Sequence, residues 1–206
     1  MIGRIIATSE CLAEGARWLQ ARDPRFESAL SGPLPLRRNA GGFAVLLDII
    51  MGQQVSVASG DAIWRKLEAA GLTEVGRVAV AGEEDLRACG LSRQKIRYAL
   101  ALARSGINYA ALEEFADAEV ITTLVAVPGI GRWTAEVYAM FALGRADVFA
   151  AGDLALQEAA RMLFDLPARP GEKALRQMAE DWSPWRAVAA RALWAYYRVR
   201  KSREGI

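Results

Sequence analysis

The sequence predicts an all-α protein with two helical lobes. Most segments carry apolar residues at helical spacing, and glycines and prolines separate them. No alternating polar and apolar run is long enough to build a sheet. Hydrophobic residues make up 53% of the 206 residues, enough for a buried core in a chain whose length suits one domain. We therefore expect a single helical domain over residues 1–206.

Helix limits follow from capping residues, prolines and glycines. Ser9 is expected to cap the first helix, Asp23 and Pro24 to begin the second, and Gly71 to end a later one. Residues 31–42, rich in proline and glycine, predict a loop. After this loop, the predicted helices cover residues 43–51, 55–70, 83–89, 92–105, 117–126, 133–143, 154–164, 172–181 and 184–200.

The chain has no histidine, which excludes Ser-His-Asp and Cys-His nucleophiles and histidine metal sites. An enzyme with this composition must use carboxylates, lysine, tyrosine or serine. Cys11 and Cys89 alone cannot hold a metal or an iron–sulfur cluster, and both are expected to be small buried side chains. The composition therefore predicts no catalytic metal or other cofactor.

Neither a membrane span nor a secretory signal is predicted. The apolar stretch 43–50 contains Asp48 and is too short to cross a bilayer. Residues 1–10 lack the charged start, apolar region and small-residue cleavage site of a signal peptide. We therefore expect a cytoplasmic protein.

The net charge of +2 says little about partners, but positive charge collects at the C-terminus. Over residues 181–206, Asp181 and Glu204 are outnumbered by basic side chains. This excess predicts either a surface that faces phosphates or a solvated helix face with a basic tail. The basic residues are Arg186, Arg191, Arg198, Arg200, Lys201 and Arg203.

The most informative segment is residues 124–136, Leu-Val-Ala-Val-Pro-Gly-Ile-Gly-Arg-Trp-Thr-Ala-Glu. Pro128 cannot continue a helix, and a new helix is expected to start near Arg132. Gly129 and Gly131 can take conformations closed to other residues and leave no side chain in the way. Their N–H groups, with those of the first turn up to Thr134, predict an anion site for a DNA phosphate. The alternative is an ordinary helix–helix turn.

A second segment, residues 147–154, places Asp153 directly before a predicted helix. Asp153 can act as a helix cap, and the positive end of the helix dipole stabilises negative charge there. Together, the two segments resemble the helix-hairpin-helix (HhH-GPD) DNA glycosylases, in the 3-methyladenine DNA glycosylase II branch. The resemblance spans residues 43–197 and implies a compact form without the N-terminal mixed α/β domain. It implies that Asp153 is catalytic, guiding water and stabilising an oxocarbenium-like sugar.

Trp133 indicates the subtype. Bifunctional members of the family carry a lysine here, whereas none of the four lysines of this chain lies in the motif. The resemblance therefore implies a monofunctional enzyme that leaves an abasic site uncut. An indole face attracts a cationic base by about 0.5–2 kcal/mol, which predicts alkylated purines as substrates. The alternative for Trp133 is a core residue.

Two further regions resemble the same branch. In residues 51–58, the resemblance implies that Gln54 is the wedge that replaces the flipped nucleotide and that Gln53 lies at the base pocket. The alternative is that both glutamines are polar caps at a helix bend. Near the C-terminus, Trp194 is expected to be a second wall of the base pocket. Trp182 and Trp185 are expected to be packing residues.

The predicted function is hydrolytic release of alkylated purines from duplex DNA by a monomer. The alternatives are a non-catalytic helix-hairpin-helix DNA-binding module, a glycosylase for deaminated or oxidised bases, and a helical protein without a nucleic-acid role. The sequence does not determine which purine is the preferred substrate among 3-methyladenine, 7-methylguanine, hypoxanthine and 1-methyladenine. The resemblance also allows a structural monovalent cation held by backbone carbonyls of the hairpin.

Overall fold

The computed structural model describes residues 2–203, with only the backbone of Arg203, and shows an all-α protein. Within this range the sole β-type pairing is an isolated antiparallel bridge between Ile5 and Arg145. The α-helices are α1 (Ser9–Arg22), α2 (Phe43–Gly52), α3 (Val57–Ala69), α4 (Val75–Val80), α5 (Glu83–Ala88), α6 (Arg93–Ala103), α7 (Asp117–Val125), α8 (Arg132–Phe141), α9 (Leu154–Leu163), α10 (Glu172–Met178) and α11 (Arg186–Arg203). Short 3₁₀ helices cover Pro24–Leu30, Ala111–Glu113 and Ala179–Trp182.

The predicted helix limits are mostly confirmed. Asp23 caps the 3₁₀ helix after α1 by accepting the N–H of Arg25, and Gly71 takes a left-handed φ of 66° after α3. The expected cap at Ser9 is wrong, because Thr8 occupies the N-cap position of α1 and makes no side-chain cap. Helix α4, a valine-rich helix of six residues, was not predicted from the sequence.

The two predicted helical lobes correspond to two compact units. The terminal unit comprises residues 1–38 and 139–206, and the central unit comprises residues 39–138. The boundary falls within α8. Within residues 2–203, no helix combines the length and the apolar character that crossing a membrane requires.

The core of the terminal unit is aromatic. Trp182 is 4% exposed and stacks on Phe164 with ring centroids 5.6 Å apart, while Phe26 meets both rings edge-on. Trp185 is buried where α1 approaches α11, and a Cβ at Gly15 would lie 2.8 Å from its ring. The packing roles predicted for Trp182 and Trp185 are confirmed.

The core of the central unit forms around α2, which packs on α3 and α6. Leu46, Leu47, Ile50 and Met51 of α2 are fully buried, and Asp48 is the one charged residue of this otherwise apolar helix. Cys89 is buried as expected, and burial raises the pKa of its thiol. In the terminal unit, by contrast, Cys11 is only half-buried.

Candidate functional site

The hairpin between α7 and α8 lies in the central unit. The turn places Gly129 at a φ of +95°, a left-handed conformation that favours glycine. A Cβ at this position would also lie 2.7 Å from the Cβ of Tyr98 and still closer to its ring. Gly129 is therefore required both by its backbone conformation and by the close approach of α6.

Gly131 serves a different purpose from Gly129. It is exposed, and a Cβ built there would meet no protein atom within 4 Å. Its carbonyl accepts the N–H of Ala135, so Gly131 begins the hydrogen bonding of α8. A glycine that the fold does not require, next to a helix N-terminus, leaves room for an anion to approach the backbone.

The side chain of Gln53 braces the hairpin. Its Nε2 donates to the carbonyl of Gly129 at 3.3 Å and to the hydroxyl of Thr134 at 3.0 Å. Thr134 is 2% exposed and Gln53 is half-buried, so this second hydrogen bond is partly buried. The structure thus brings Gln53 and Thr134 together within the central unit, whereas a contact of Gln53 with a flipped base stays a prediction.

Gln54 lies at the exposed bend between α2 and α3 with a φ of 56°. This left-handed conformation is unfavourable for a residue other than glycine, and such strain persists where neighbouring structure imposes it. Here Gln53, one residue earlier, is held against the hairpin. An exposed side chain on a braced bend suits the predicted wedge role.

Arg132 and Trp133 occupy the first turn of α8. The guanidinium of Arg132 pairs with Glu136 at 2.9 Å, and Glu136 itself is buried. Trp133 is 37% exposed, so the alternative that it belongs to the core is wrong. Its indole is accessible to a ligand.

Asp153 lies in the terminal unit as the N-cap of α9. Its Oδ1 accepts the N–H groups of Ala155 at 2.9 Å and Leu156 at 3.0 Å. The indole Nε1 of Trp194 donates to the same oxygen at 3.2 Å. The capping role is confirmed, and three N–H donors fix the position of the carboxylate.

The loop before Asp153 is anchored at both ends. At its start, Asp147 forms a two-pronged pair with Arg186, with distances of 2.7 and 2.8 Å, and accepts the hydroxyl of Ser183 at 2.8 Å. Near its end, the side chain of Gln157 donates to the carbonyl of Ala151 at 3.0 Å. These contacts determine where Asp153 is presented.

Trp194 belongs to a stack that the sequence analysis missed. Its ring lies 5.7 Å from that of Phe141, and the guanidinium of Arg191 covers Phe141 at 4.5 Å. Arg191 is 4% exposed and donates to the carbonyls of Met140 and Ala187. Desolvation lowers the pKa of Arg191 to about 10. The stack holds the indole that donates to Asp153.

Replacing Trp194 with phenylalanine should separate its hydrogen bond to Asp153 from its predicted role as an aromatic wall of the base pocket. The ring stays, but the N–H donor to Asp153 is lost, and a hydrogen bond to a charged group contributes about 1.5–3 kcal/mol. We expect about a tenfold lower single-turnover rate of base release, with little change in DNA affinity. Tyr197→Phe, one turn further along α11, is the control. Equal rates for Trp194→Phe and wild type would leave only the aromatic-wall role.

The basic C-terminal surface is smaller than predicted. Arg191 is buried, and the charge of Arg186 is neutralised by Asp147, so neither adds net positive charge to this surface. Arg198 and Arg200 are exposed, and Lys201 is half-buried. The side chain of Arg203 and all of Glu204 lie outside the described residues.

The predicted site residues thus divide between the two units. Asp153 and Trp194 are brought together in the terminal unit, and the central unit holds the hairpin, Trp133 and the bend at Gln53 and Gln54. In the part of the chain that the structure describes, no three His, Cys, Asp or Glu side chains cluster as a metal site would require.

One further residue of the central unit escaped the sequence analysis. Lys95 lies 29 positions before Leu124, outside the hairpin motif, yet it lines a groove that Gly129, Gly131 and Thr134 also line. Its ammonium donates to the carbonyl of Met51. A charged residue within an amphipathic helix gave no signal of this position.

Comparisons with known proteins agree with these features. Residues 47–184 match the HhH-GPD superfamily of base excision DNA repair proteins. The alkylbase DNA glycosidase-like protein mag2 of Schizosaccharomyces pombe is 30% identical over 123 residues, which is 57% of this chain and 58% of that protein. The chain therefore spans less than two thirds of this relative.

Two solved structures resemble the whole fold. A DNA-3-methyladenine glycosidase from Bacillus halodurans has a TM-score of 0.82 at 29% identity, covering 98% of this chain and 95% of that one. The 3-methyladenine DNA glycosylase Mag1 of Schizosaccharomyces pombe, in complex with abasic DNA, has a TM-score of 0.75 at 26% identity, with coverages of 88% and 95%. With the hairpin, the capped aspartate and the match over most of its length, the chain belongs to the HhH-GPD superfamily of base excision DNA repair proteins.

Proposed function

We propose that this protein is a monofunctional DNA glycosylase that hydrolyses the N-glycosidic bond of alkylated purines, of the 3-methyladenine type, in duplex DNA. The observation that carries the proposal is the carboxylate of Asp153, on which three N–H donors converge. Membership of a base excision repair family supports it, as do relatives named for alkylated bases. The complex of Mag1 with abasic DNA supports DNA as the partner.

The chemistry needs a fixed negative charge. When the bond between the base nitrogen and C1′ breaks, the base leaves with the bonding electrons and positive charge builds on the sugar. The carboxylate of Asp153 stabilises that charge, and a water oxygen then bonds to C1′ while its proton passes to the carboxylate and on to solvent. An alkylated purine that starts as a cation leaves as a neutral base. Such a substrate needs no strong general acid, which suits a chain without histidine.

The same proposal assigns DNA backbone binding to the hairpin. Gly131 gives an anion unobstructed access to the first turn of α8, and contacts of this kind position a duplex without reading its sequence. The bend at Gln54 supplies the wedge that fills the space of the flipped nucleotide. The exposed Trp133 offers its indole face to a cationic base.

The proposal includes hydrolysis without a catalytic cofactor, a monomeric state and a cytoplasmic location, as the sequence analysis predicts. A monovalent cation at the hairpin carbonyls stays a prediction. Replacing sodium and potassium with a bulky organic cation at constant ionic strength would test it. Weaker DNA binding in the organic salt is the outcome that such a cation predicts.

Base release from methylated duplex DNA tests the central proposal. Free alkylpurine should appear with wild-type protein, and strand breaks should appear only after alkali treatment. Breaks without alkali would contradict the monofunctional assignment. DNA binding without release from a panel of alkylated, deaminated and oxidised substrates would instead favour the non-catalytic binding module.

Trp133→Ala should slow the release of cationic bases more than the release of neutral ones. The indole is 37% exposed, and Trp133→Ala removes its cation–π attraction of about 0.5–2 kcal/mol for a charged base, whereas any loss of packing affects both kinds of lesion alike. We expect the single-turnover rate on 7-methylguanine to fall about twofold to thirtyfold further than the rate on hypoxanthine. Trp64→Phe, in α3, controls for general effects of changing an indole. Equal losses on both lesions would contradict recognition of the charge.

A further inference from the structure

The central unit contains a groove of about 690 Å³ beside the hairpin. The bend at Gln53 and Gln54 lines it, as do the first turns of α6 with Gln94 and Lys95 and the hairpin with Gly131. The bend and the hairpin are held together, because Gln53 of the bend donates to the hairpin carbonyl of Gly129. The groove therefore has a defined shape within one unit.

The charge of the groove has one sign. Among the described residues that line it, Lys95 carries the only charge, and there is no carboxylate. The other polar side chains include Ser92, whose hydroxyl can donate a hydrogen bond, and Gln94, whose amide has a second N–H besides the one donated to Tyr98. A surface with an ammonium, amide and hydroxyl donors and no acid favours an anionic occupant.

Lys95 is positioned rather than free to move in solvent. It is half-buried, and its Nζ donates to the carbonyl of Met51 in the last turn of α2. An ammonium has three N–H donors, so this one hydrogen bond leaves capacity for an anion in the groove. Burial lowers the pKa of Lys95, because the ammonium has lost part of its hydration, and a nearby anion would offset that loss.

We propose that Lys95 binds a phosphate of the DNA backbone in this groove, as a second contact beside the backbone N–H groups of the hairpin. The ligand class rests on the proposed function, which makes DNA the partner. The hairpin motif itself contains no lysine, and Lys95 reaches the same groove from α6. An ammonium acts as a point charge, so it suits a phosphate contact that carries no sequence information.

The salt dependence of binding distinguishes this contact from a purely structural role. The affinity for a duplex with an abasic-site analogue would be measured between about 50 and 200 mM salt, where each neutralised phosphate contributes about 0.9 to the slope of log K against log salt. Lys95→Met should make this negative slope shallower by about 1 and lower the affinity by about tenfold. Lys95→Arg should keep most of both. Lys66→Met removes the same charge from the exposed surface of α3 and should change neither.

A merely structural role gives another pattern. If Lys95 only caps α2, Lys95→Met lowers the melting temperature while the salt slope stays at the wild-type value. That result overturns the proposal. If the wild-type protein itself does not bind DNA or release bases, the proposed function fails. That result differs from a failure of the Lys95 proposal, which appears only when the Lys95 variants are compared with the wild type.

Amine labelling of the wild-type protein tests the contact without any substitution. The chain has four lysines, so mass spectrometry can follow each one separately. Saturating duplex should slow acetylation of Lys95 at least fivefold and leave the exposed Lys66 and Lys173 within twofold of their rates in the unbound protein. Labelling of Lys95 at an unchanged rate in the bound protein would contradict the proposal even if the Lys95 variants fail to fold.

Discussion

Replacing Asp153 with asparagine is expected to abolish base release, with a loss on the order of a thousandfold or more, because the fixed charge opposite the developing oxocarbenium disappears. The folded state should remain, since asparagine is as good an N-cap as aspartate. Its Oδ1 can accept the same three N–H groups, from Ala155, Leu156 and Trp194. The substitution therefore removes charge and leaves shape and hydrogen bonds in place.

Single-turnover release of alkylpurine from methylated duplex measures this effect, with DNA affinity and melting temperature recorded alongside. Affinity for duplex DNA should stay within a few-fold of wild type. Asp23→Asn is the matched control, because Asp23 is also an N-cap in the terminal unit and accepts the N–H of Arg25. It should leave release unchanged. Normal turnover by Asp153→Asn would refute the proposed mechanism.

Local sequence signals predicted the features of the site that depend on a few neighbouring residues. Pro128, Gly129 and Gly131 mark a turn between two helices by their backbone chemistry alone, and the structure has that turn. Asp153 before an apolar helical pattern is a cap in both the sequence and the structure. The all-α class follows from the same helical periodicity.

Long-range packing determined what the sequence could not show. Gln53 lies 76 positions before the carbonyl of Gly129 to which it donates. Arg191 reads as part of a basic surface, yet it lies under Phe141 in the core of the terminal unit. Helix α4 is rich in valine, which disfavours helix, and forms around the buried Val78. In each case tertiary contacts outweigh the local preference.

Gly131→Val is expected to weaken binding to undamaged and abasic duplexes by about tenfold to a hundredfold, the range for losing a hydrogen bond of about 1.5–3 kcal/mol to a charged group. A Cβ at Gly131 faces no protein atom within 4 Å, so the substitution does not force the fold apart. Its bulk instead occupies the space through which a phosphate must approach the N-terminus of α8. Fluorescence anisotropy at several salt concentrations measures the loss.

The matched control is Gly171→Val. Gly171 also directly precedes the first residue of a helix, α10, and a Cβ there also meets nothing within 4 Å. Both substitutions should lower the melting temperature to a similar small extent, and only Gly131→Val should lower affinity. The affinity of Gly131→Ala should lie between the affinities of the wild type and of Gly131→Val. Unchanged affinity for Gly131→Val across the salt range would mean that the hairpin does not contact DNA.

Gly129 shows why the choice of glycine matters in this experiment. Its φ of +95° and the adjacent ring of Tyr98 make any substitution there a test of folding. A loss of binding by a Gly129 variant would therefore carry no information about phosphate. The fold has no comparable requirement for glycine at position 131, so a loss there reports on what approaches the hairpin from outside.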